Sequence, residues 1–213
     1  MNAPGRVTLL KSDFFNRDPR PVARALLGKL LIRKTPRGIL AGRIVETEAY
    51  LGQGDAAAHS AAGKTARNAV LFGPPGRAYV YFIYGNHYCL NVSCLPDGIP
   101  GGVLFRALEP VTGVAQMAMA RDIEVENATT LAKISFLKKI SSGPGRLSEA
   151  LGVTRVRDNG KNLASPRSDL VIVDDGYRVR RVIVTSRIGI VKSAERALRY
   201  FIAGSPFVSG RSA

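Results

Sequence analysis

Hydrophobic and polar positions alternate most clearly between residues 44 and 51. In an extended chain, neighbouring side chains point to opposite sides, so residues two apart share a face. Even-numbered positions from Ile44 to Tyr50 therefore lie on one face, and the odd-numbered, small or apolar positions from Val45 to Leu51 lie on the other. The pattern predicts a β-strand on which Glu46, Glu48 and an aromatic ring share a single face.

The same periodicity predicts further elements along the chain. Strands are expected at 29–34, 39–51, 78–84, 87–94, 102–108, 169–173 and 178–185. Helices are expected at 19–28, 112–121, 129–140, 142–151 and 194–201. Asp18 is the expected N-cap of the first helix, with Pro19 at its first position. Turn residues at 35–38, 85–86 and 174–176 predict that consecutive strands form three β-hairpins.

Two further features carry candidate chemistry. A Gly-, Ala- and Pro-rich stretch from residue 52 to 76 shows little periodicity, and a loop of that length in a compact domain is either disordered or functional. Its residue types favour a functional loop, since it contains His59, Arg67, Asn68 and Phe72. Arg106 interrupts the mostly apolar strand at 102–108. Because an unpaired buried charge is costly, Arg106 should face a carboxylate, a phosphate or solvent.

The charge balance indicates what kind of partner the protein meets. The 213-residue chain has 31 Lys and Arg against 16 Asp and Glu, a formal net charge of +15. Such an excess in a globular chain indicates a polyanionic partner, with nucleic acid the first candidate and an anionic membrane surface the second. No apolar stretch approaches the roughly 20 residues of a membrane-spanning helix, and no signal-peptide core is present, so a cytoplasmic protein is expected.

Cysteine and histidine usage argues against a metal centre. Cys89 and Cys94 point to opposite faces of one predicted strand, so no disulfide is expected between them. The two histidines are His59 and His87, and zinc-type spacing is lacking. A carboxylate, a histidine and several tyrosines in a basic protein suggest instead a pocket for a flat, nitrogen-rich ligand.

Several separated blocks of the sequence resemble one known family. The blocks are Glu46-Thr47-Glu48-Ala49-Tyr50-Leu51-Gly52, Ala58-His59-Ser60, Tyr79-Val80-Tyr81-Phe82-Ile83-Tyr84-Gly85, Asn91 and Leu104-Phe105-Arg106-Ala107-Leu108-Glu109-Pro110. In order and spacing they are similar to the alkyladenine (3-methyladenine) DNA glycosylase family. The resemblance extends from the first helix to 205–209. One departure is Ser186, which stands where the family often has a proline and leaves the geometry of that loop open.

The resemblance implies a fold and an activity. The fold would be α+β: a single domain over 1–213 with a curved, open barrel-like antiparallel sheet, flanking helices and a protruding β-hairpin, and with flexible tails at 1–10 and 208–213. The activity would be that of a monofunctional base-excision-repair DNA glycosylase. It would flip alkylated or deaminated purines (3-methyladenine, 7-methylguanine, hypoxanthine) out of double-stranded DNA and hydrolyse their N-glycosidic bond. We expect no cofactor, no metal and no membrane partner, and a monomeric, nucleoid-associated cytoplasmic enzyme.

The resemblance also assigns three catalytic or DNA-contacting roles. Glu48 would be the general base that activates the water attacking the sugar C1′. Arg106 would contact the backbone of the flipped nucleotide. Tyr84, beside the tip of the second hairpin, would intercalate into the space that the nucleotide leaves.

The base pocket would be formed by Tyr50, His59 and Tyr81, with Asn91 excluding the exocyclic amine of guanine. The turn at Gly85-Asn86 leaves the register of this hairpin open. A two-residue loop pairs Tyr81 with Leu90, whereas a three-residue loop pairs it with Asn91 on one face. We expect the longer loop, because a shared pocket requires both side chains on one side.

Less specific interpretations exist for each residue. Taken alone, Glu48 would be a solvated strand residue or a partner of Arg43, Arg106 would pair with Glu46 or Glu109, and His87 would be a surface residue. A non-catalytic binder of damaged or bent duplex DNA is the alternative function. It would gain nothing from a carboxylate facing DNA. A nuclease lacks its metal-binding acids and a deaminase its zinc signature.

Overall fold

A computed structural model describes residues 7–83, 85–125, 129 and 133–210. The strands are β1 (Thr8–Leu9), β2 (Leu30–Thr35), β3 (Gly38–Tyr50), β4 (Ala78–Ile83), β5 (His87–Ser93), β6 (Gly102–Thr112), β7 (Leu170–Asp174), β8 (Val182–Thr185) and β9 (Arg199–Ile202). The helices are α1 (Ser12–Phe15), α2 (Pro19–Leu26), α3 (Val114–Ala120), α4 (Ile134–Ser141), α5 (Pro144–Ala150) and α6 (Arg155–Asp158), with short 3-10 turns at Gly52–Gly54 and Ala69–Phe72.

The described strands form one curled antiparallel sheet. Seven of them follow the order β1-β7-β2-β3-β6-β5-β4, and β9 pairs with β3 outside this path and with β8. The predicted α+β class, with a single domain built on a curved antiparallel sheet and flanking helices, is confirmed. No helix within the described residues is long and apolar enough to cross a lipid bilayer.

Helix α2 shows why the sequence places a helix against the long strand β3. Asp18 caps it by accepting the Arg20 backbone N–H at 2.8 Å, and Pro19 opens the first turn. Its buried residues, which include Val22 and Leu26, join the main core beneath the sheet. The Thr47 hydroxyl donates to a backbone carbonyl of α2, which fixes the register of helix on strand.

Pairing between β3 and β6 is irregular in the middle of the sheet, where the ladder runs Ile44 with Leu108, Glu46 with Ala107 and Thr47 with Phe105. Between Ile44 and Thr47, Val45 of β3 and Arg106 of β6 therefore have no partner in the described β3–β6 ladder. An extra residue rotates the following side chains, so Val45 and Glu46 share one face. Arg106 and Ala107 share that same face, where Val45, Ala107 and Phe207 pack together. Ile44 joins the main core on the opposite face.

The irregularity corrects the simple alternation predicted for β3. Glu46 and Glu48 do share a face with Tyr50, because all three side chains bond to groups on one side of the sheet. Val45 was placed on the wrong face, however, and so was Ile44. A period of two cannot register a bulge, because the extra residue depends on the neighbouring strand.

The β4–β5 hairpin agrees with prediction in its loop length and differs in its register. Three residues separate the last paired positions of the two strands, as expected. Tyr81 pairs with Cys89, however, and Asn91 pairs with Tyr79. Tyr81 and Asn91 still lie on one face, because Cys89 and Asn91 are two residues apart in a strand.

Two predictions for the C-terminal third are wrong. The expected hairpin of 169–173 with 178–185 does not form, because β7 pairs with β1 and β2 while β8 pairs with β9. Asp174 and Asp175 of the supposed turn are engaged instead by Lys29 and Arg43. The helix expected at 194–201 is replaced at its end by β9, which adds to the edge of β3.

The prediction of flexible tails at 1–10 and 208–213 is wrong for the described residues 8–10 and 208–209. Thr8–Leu9 pairs with β7, and Leu10 is buried. At the other end, Val208 and Ser209 are buried. The C-terminal segment therefore belongs to the folded domain as far as these residues. Cys89 and Cys94 are free, as expected.

Candidate active site

A cavity of about 430 Å³ lies on the face of the sheet that carries Glu46 and Glu48. Its size falls within the range of small-molecule sites, roughly 300–1,000 Å³. The predicted site residues that line it are Tyr50, His59, Tyr81, Asn91 and Arg106. Tyr84, which is predicted to intercalate into the duplex, lies outside the described residues. The structure thus brings together five side chains from four strands and one loop.

Glu48 is fully buried behind the cavity wall. Its Oε1 accepts the Ile188 backbone N–H at 2.8 Å and lies 3.2 Å from Nη1 of Arg106. Its Oε2 accepts the Tyr50 hydroxyl at 3.0 Å. Because all three partners line the cavity, the carboxylate stands one layer behind the ligand space. Arg43, the partner considered from sequence, pairs with Asp175 instead.

The surroundings of Glu48 raise the pKa of its carboxyl above the ordinary value of 4.5. Burial is the largest cause, since it disfavours the charged form. Arg106, the Ile188 N–H and the Tyr50 hydroxyl act in the opposite direction, while the nearby Glu46 adds a like charge. Burial and then Glu48 raise the pKa of Tyr50, so its hydroxyl keeps its proton and donates to the carboxylate.

Arg106 is held by both carboxylates of β3. Its Nε donates to Glu46 at 3.0 Å, and its Nη2 donates to the Ser209 hydroxyl at 3.2 Å. The expectation that Arg106 faces a carboxylate is therefore confirmed. Arg106 contacts these carboxylates from inside the cavity wall. Its contact with the backbone of the flipped nucleotide stays a prediction.

The loop after β8 is seated by a buried ion pair that sequence reasoning missed. Arg187 donates to both oxygens of Asp55 at 2.5 and 2.7 Å and to the Ala49 carbonyl at 3.0 Å. Its guanidinium also lies 4.5 Å from the centre of the Tyr50 ring. This anchor places the Ile188 N–H on Glu48, which answers the question left open by Ser186. No local signal joins Asp55 to a residue 132 positions away.

Aromatic rings from β4 and from the loop before it form another part of the cavity wall. Nδ1 of His59 lies 2.9 Å from the Tyr79 hydroxyl, with the donor set by the histidine tautomer. The His59 and Tyr81 rings meet edge to face with their centres 4.4 Å apart. Partial burial, and then the charge of Arg67, lower the pKa of His59 below its ordinary value of 6.5. The imidazole is therefore neutral at pH 7 and keeps one N–H to donate.

Asn91 lies in the floor of the cavity, on the central strand of three. It is buried, and its Nδ2 donates to the Tyr79 carbonyl at 3.2 Å. Its backbone is held between β4 and β6, where it pairs with Tyr79 and Leu104. The side chain is therefore rigidly placed against whatever enters the cavity.

His87 differs from its expected position on the surface. It is half-buried and lines the cavity beside the N-terminal turn of α5. A Cβ on Gly145 would lie only 3.0 Å from the His87 ring, so the glycine permits this close approach. A turn position in the sequence gave no signal of a neighbour almost sixty residues away.

Comparisons with known proteins show the family of the chain. A family model described as methylpurine-DNA glycosylase matches residues 13–206. A protein of Koribacter versatilis is 69% identical over 202 residues, covering 95% of this chain and 93% of its own. Proteins of Methanocella arvoryzae and Burkholderia cenocepacia are each 43% identical, covering 96% and 98% of this chain and 97% and 94% of their own. All three are provisionally named 3-methyladenine DNA glycosylases.

Fold, site and similarity together define the class of protein: the chain is a DNA glycosylase. It belongs to the methylpurine-DNA glycosylase family, whose model covers most of its length.

Proposed function

We propose that the chain is a base-excision-repair glycosylase that removes alkylated or deaminated purines from double-stranded DNA. The substrates would be 3-methyladenine, 7-methylguanine and hypoxanthine, and the enzyme would hydrolyse their N-glycosidic bond with a water activated by Glu48. It would act as a monomeric single domain in the cytoplasm, on the nucleoid. The observation that carries the proposal is a buried carboxylate of raised pKa directly behind an aromatic cavity.

Base flipping follows from where the reacting bond lies. The sugar C1′ of a stacked nucleotide is inaccessible, so the nucleotide has to leave the duplex and enter the cavity. Unstacking costs a few kcal/mol, and least for a damaged base. Stacking on an aromatic side chain returns about 1–3 kcal/mol. Tyr50 and Tyr81 would supply this stacking, and His59 would form a hydrogen bond to the flipped base. Tyr84 would fill the space left in the duplex.

The chemical step needs a base and a leaving group. Glu48 would take a proton from water, the resulting hydroxide would bond to C1′, and the C1′–N bond would break with its electron pair going to the purine. Oε2 of Glu48 accepts only the Tyr50 hydroxyl among the described residues, so it keeps acceptor capacity for the water. The negative charge of Glu48 would also stabilise the oxocarbenium-like transition state.

Leaving-group chemistry explains how one cavity serves different purines. A 3- or 7-alkylated purine carries positive charge, is attracted to aromatic rings and leaves as a neutral base. Hypoxanthine is neutral and needs a hydrogen-bond donor as it departs. His59 would supply this donor through its Nε2–H, in the tautomer whose Nδ1 accepts from the Tyr79 hydroxyl.

The competing interpretation is a protein that binds damaged or bent DNA without cleaving it. Such a binder gains nothing from a desolvated carboxylate, whose burial is costly. The deciding experiment incubates the purified chain with duplexes carrying 7-methylguanine or inosine and measures released free base. Lesion-specific binding without base release would favour the binder.

Binding to undamaged duplex should weaken steeply with salt. The net charge of +15 indicates that phosphate contacts dominate such binding. The logarithm of the association constant should fall against the logarithm of salt concentration with a slope of about −0.9 for each phosphate contacted. Fluorescence anisotropy with a labelled duplex between low and moderate salt measures it. A flat response would mean that the charge serves another partner.

The reaction should be monofunctional and independent of metal ions. Lys64 is exposed and does not line the cavity, so it lacks the desolvation that a Schiff-base lysine requires. The described residues contain no group of three His, Cys, Asp or Glu side chains that could hold a metal ion. Borohydride should therefore trap no covalent DNA adduct, and EDTA should leave base release unchanged. An adduct, or loss of activity in EDTA that added metal restores, would contradict this mechanism.

A further inference from the structure

A second buried carboxylate, Glu46, lies behind Glu48 and has no exposed surface. Its Oε1 accepts the Nε–H groups of two arginines, Arg106 at 3.0 Å and Arg199 at 2.6 Å. Its Oε2 accepts the backbone N–H of Ser209 at 2.6 Å. Every one of these donors comes from a different segment of the chain. Glu46 is therefore the point at which β6, β9 and the C-terminal segment meet.

The guanidinium of Arg106 spans the two carboxylates. Nε is bonded to Glu46, Nη2 to the Ser209 hydroxyl, and Nη1 lies 3.2 Å from Glu48. A guanidinium is planar, so fixing Nε and Nη2 also fixes the direction of Nη1. The position of Arg106 against Glu48 thus depends on Glu46.

The C-terminal segment completes this arrangement. Arg199 donates to the Ser209 carbonyl at 2.9 Å, and the Ser142 hydroxyl donates to the Phe207 carbonyl at 2.6 Å. Phe207 packs on the apolar patch beside Glu46 on the same sheet face. These contacts hold the segment close enough for the Ser209 backbone N–H to donate to Glu46 and for the Ser209 hydroxyl to accept from Arg106.

We propose that Glu46 is a positioning residue of the active site, which orients Arg106 against Glu48 and places a second negative charge beside that carboxylate. The inference rests on the proposed role of Glu48 as the general base. Two carboxylates and two arginines give this buried cluster a net charge of zero. Both anions lie against Arg106, so the repulsion between them offsets part of the stabilisation that the arginine gives to Glu48.

The charges of Glu46 and Arg106 together affect the basicity of Glu48. With Arg106 beside it and no second carboxylate nearby, Glu48 would be a weaker base, because an opposite charge nearby lowers a carboxyl pKa by about one to three units. The other groups that act on Glu48 are Tyr50, Cys89 and Arg187, and none of them is bonded to Glu46. A change at Glu46 therefore affects Glu48 through the charge of Glu46 and through Arg106.

The test is the pH dependence of single-turnover base release from a 7-methylguanine duplex. This lesion leaves without protonation, so the acid limb of the profile reports the general base. In the unmodified protein the limb should lie above the ordinary glutamate pKa of 4.5, because Glu48 has to be ionised and its pKa is raised. Spontaneous depurination, measured without protein, is subtracted at each pH.

Glu46→Gln should move this acid limb to lower pH by about one unit. Glutamine keeps the shape of the side chain and an oxygen that can accept from Arg106, so the arginine stays in position while the like charge beside Glu48 is gone. A midpoint that stays in place, or that moves upward, would overturn the inference. A purely structural defect would lower the amount of active protein and leave the midpoint unchanged.

Arg199→Gln should shift the limb in the opposite direction. Without Arg199, the charge of Glu46 is no longer balanced by a second arginine, and Glu48 becomes harder to ionise. This second variant decides the question if Glu46→Gln does not fold, since an unmoved or lowered limb would again contradict the proposal. Glu109→Gln serves as the control, because it removes a half-buried carboxylate of β6 that does not line the cavity, and its midpoint should match that of the unmodified protein. If the unmodified protein released no base at all, the proposed function itself would fail, which is a distinct result.

Discussion

Replacing Glu48 with glutamine should lower the single-turnover rate of base release by about two to four orders of magnitude, the contribution typical of a positioned general base. The amide cannot accept a proton from water at neutral pH. Affinity for a lesion-bearing duplex should change little, because the side chain is buried and does not itself line the cavity. The variant would thus separate recognition from chemistry.

The structure explains why glutamine fits at this position. The amide oxygen can still accept the Ile188 N–H and face Arg106, as Oε1 does now. The amide nitrogen would meet the hydroxyl oxygen of Tyr50, which can accept a hydrogen bond once its proton rotates away. The wall of the cavity should therefore keep its shape.

Rate and affinity are measured separately. Excess protein over a 7-methylguanine or inosine duplex gives the single-turnover rate, and anisotropy on the same duplex gives the affinity. Glu109→Gln is the matched control, since it removes a half-buried carboxylate from the neighbouring strand away from the cavity and should leave the rate unchanged. A Glu48→Gln protein that retained a substantial rate would show that another group activates the water.

Local patterns predicted those elements whose determinants are local. Asp18 and Pro19 mark the start of α2, because a cap and a fixed φ act within one turn. The alternation of β3 placed Glu46 and Glu48 on one face with Tyr50, and the aromatic and β-branched runs identified the β4–β5 hairpin. In each case the signal lies within a few residues of the feature that it predicts.

Elements that depend on distant partners were predicted wrongly. The Asp-Gly turn at 174–176 has favourable hairpin chemistry, but β7 completes the sheet between β1 and β2 instead. The segment that ends in β9 carried a short helical pattern, yet it adds to the edge of β3. Pairing with a strand about 150 residues earlier in the chain outweighs a weak local preference.

The candidate site divides in the same way. Family-like blocks pointed to the side chains that line the cavity, since those residue types match the expected chemistry. The groups that hold them were not predicted, because Arg187 pairs with a residue 132 positions earlier and Arg199 with one 153 positions earlier. Charged residues are common in a basic chain, so no sequence feature separates these two arginines from the exposed ones.

Shortening Asn91 to alanine or serine should raise the removal of mispaired guanine, while excision of hypoxanthine changes less. Guanine differs from hypoxanthine by a 2-amino group on the minor-groove edge of the base. A cavity that accepts several purines by stacking needs a feature that rejects this abundant normal base. A rigid side chain placed where the 2-amino group would lie rejects guanine through a steric clash.

Asn91 meets the requirement for rigidity. It is buried in the floor of the cavity, its strand is paired on both sides, and its amide is tied to the Tyr79 carbonyl at 3.2 Å. A loop residue would move aside for the amine at little cost, whereas this side chain cannot move without breaking that bond. The shorter residues remove both the amide and the tie.

The comparison should be made in single turnover on G·T and I·T duplexes that differ only at the target base, so that only the ratio of the two rates is interpreted. Ser93→Ala is the matched control, because it removes a buried polar group from the same face of the same strand without lining the cavity. We expect the guanine-to-hypoxanthine ratio to rise for both Asn91 variants and to stay constant for the control. If the ratio does not move, Asn91 only ties β5 to β4, and the rejection of guanine has to come from another part of the wall, with His59 and Tyr50 the next side chains to shorten.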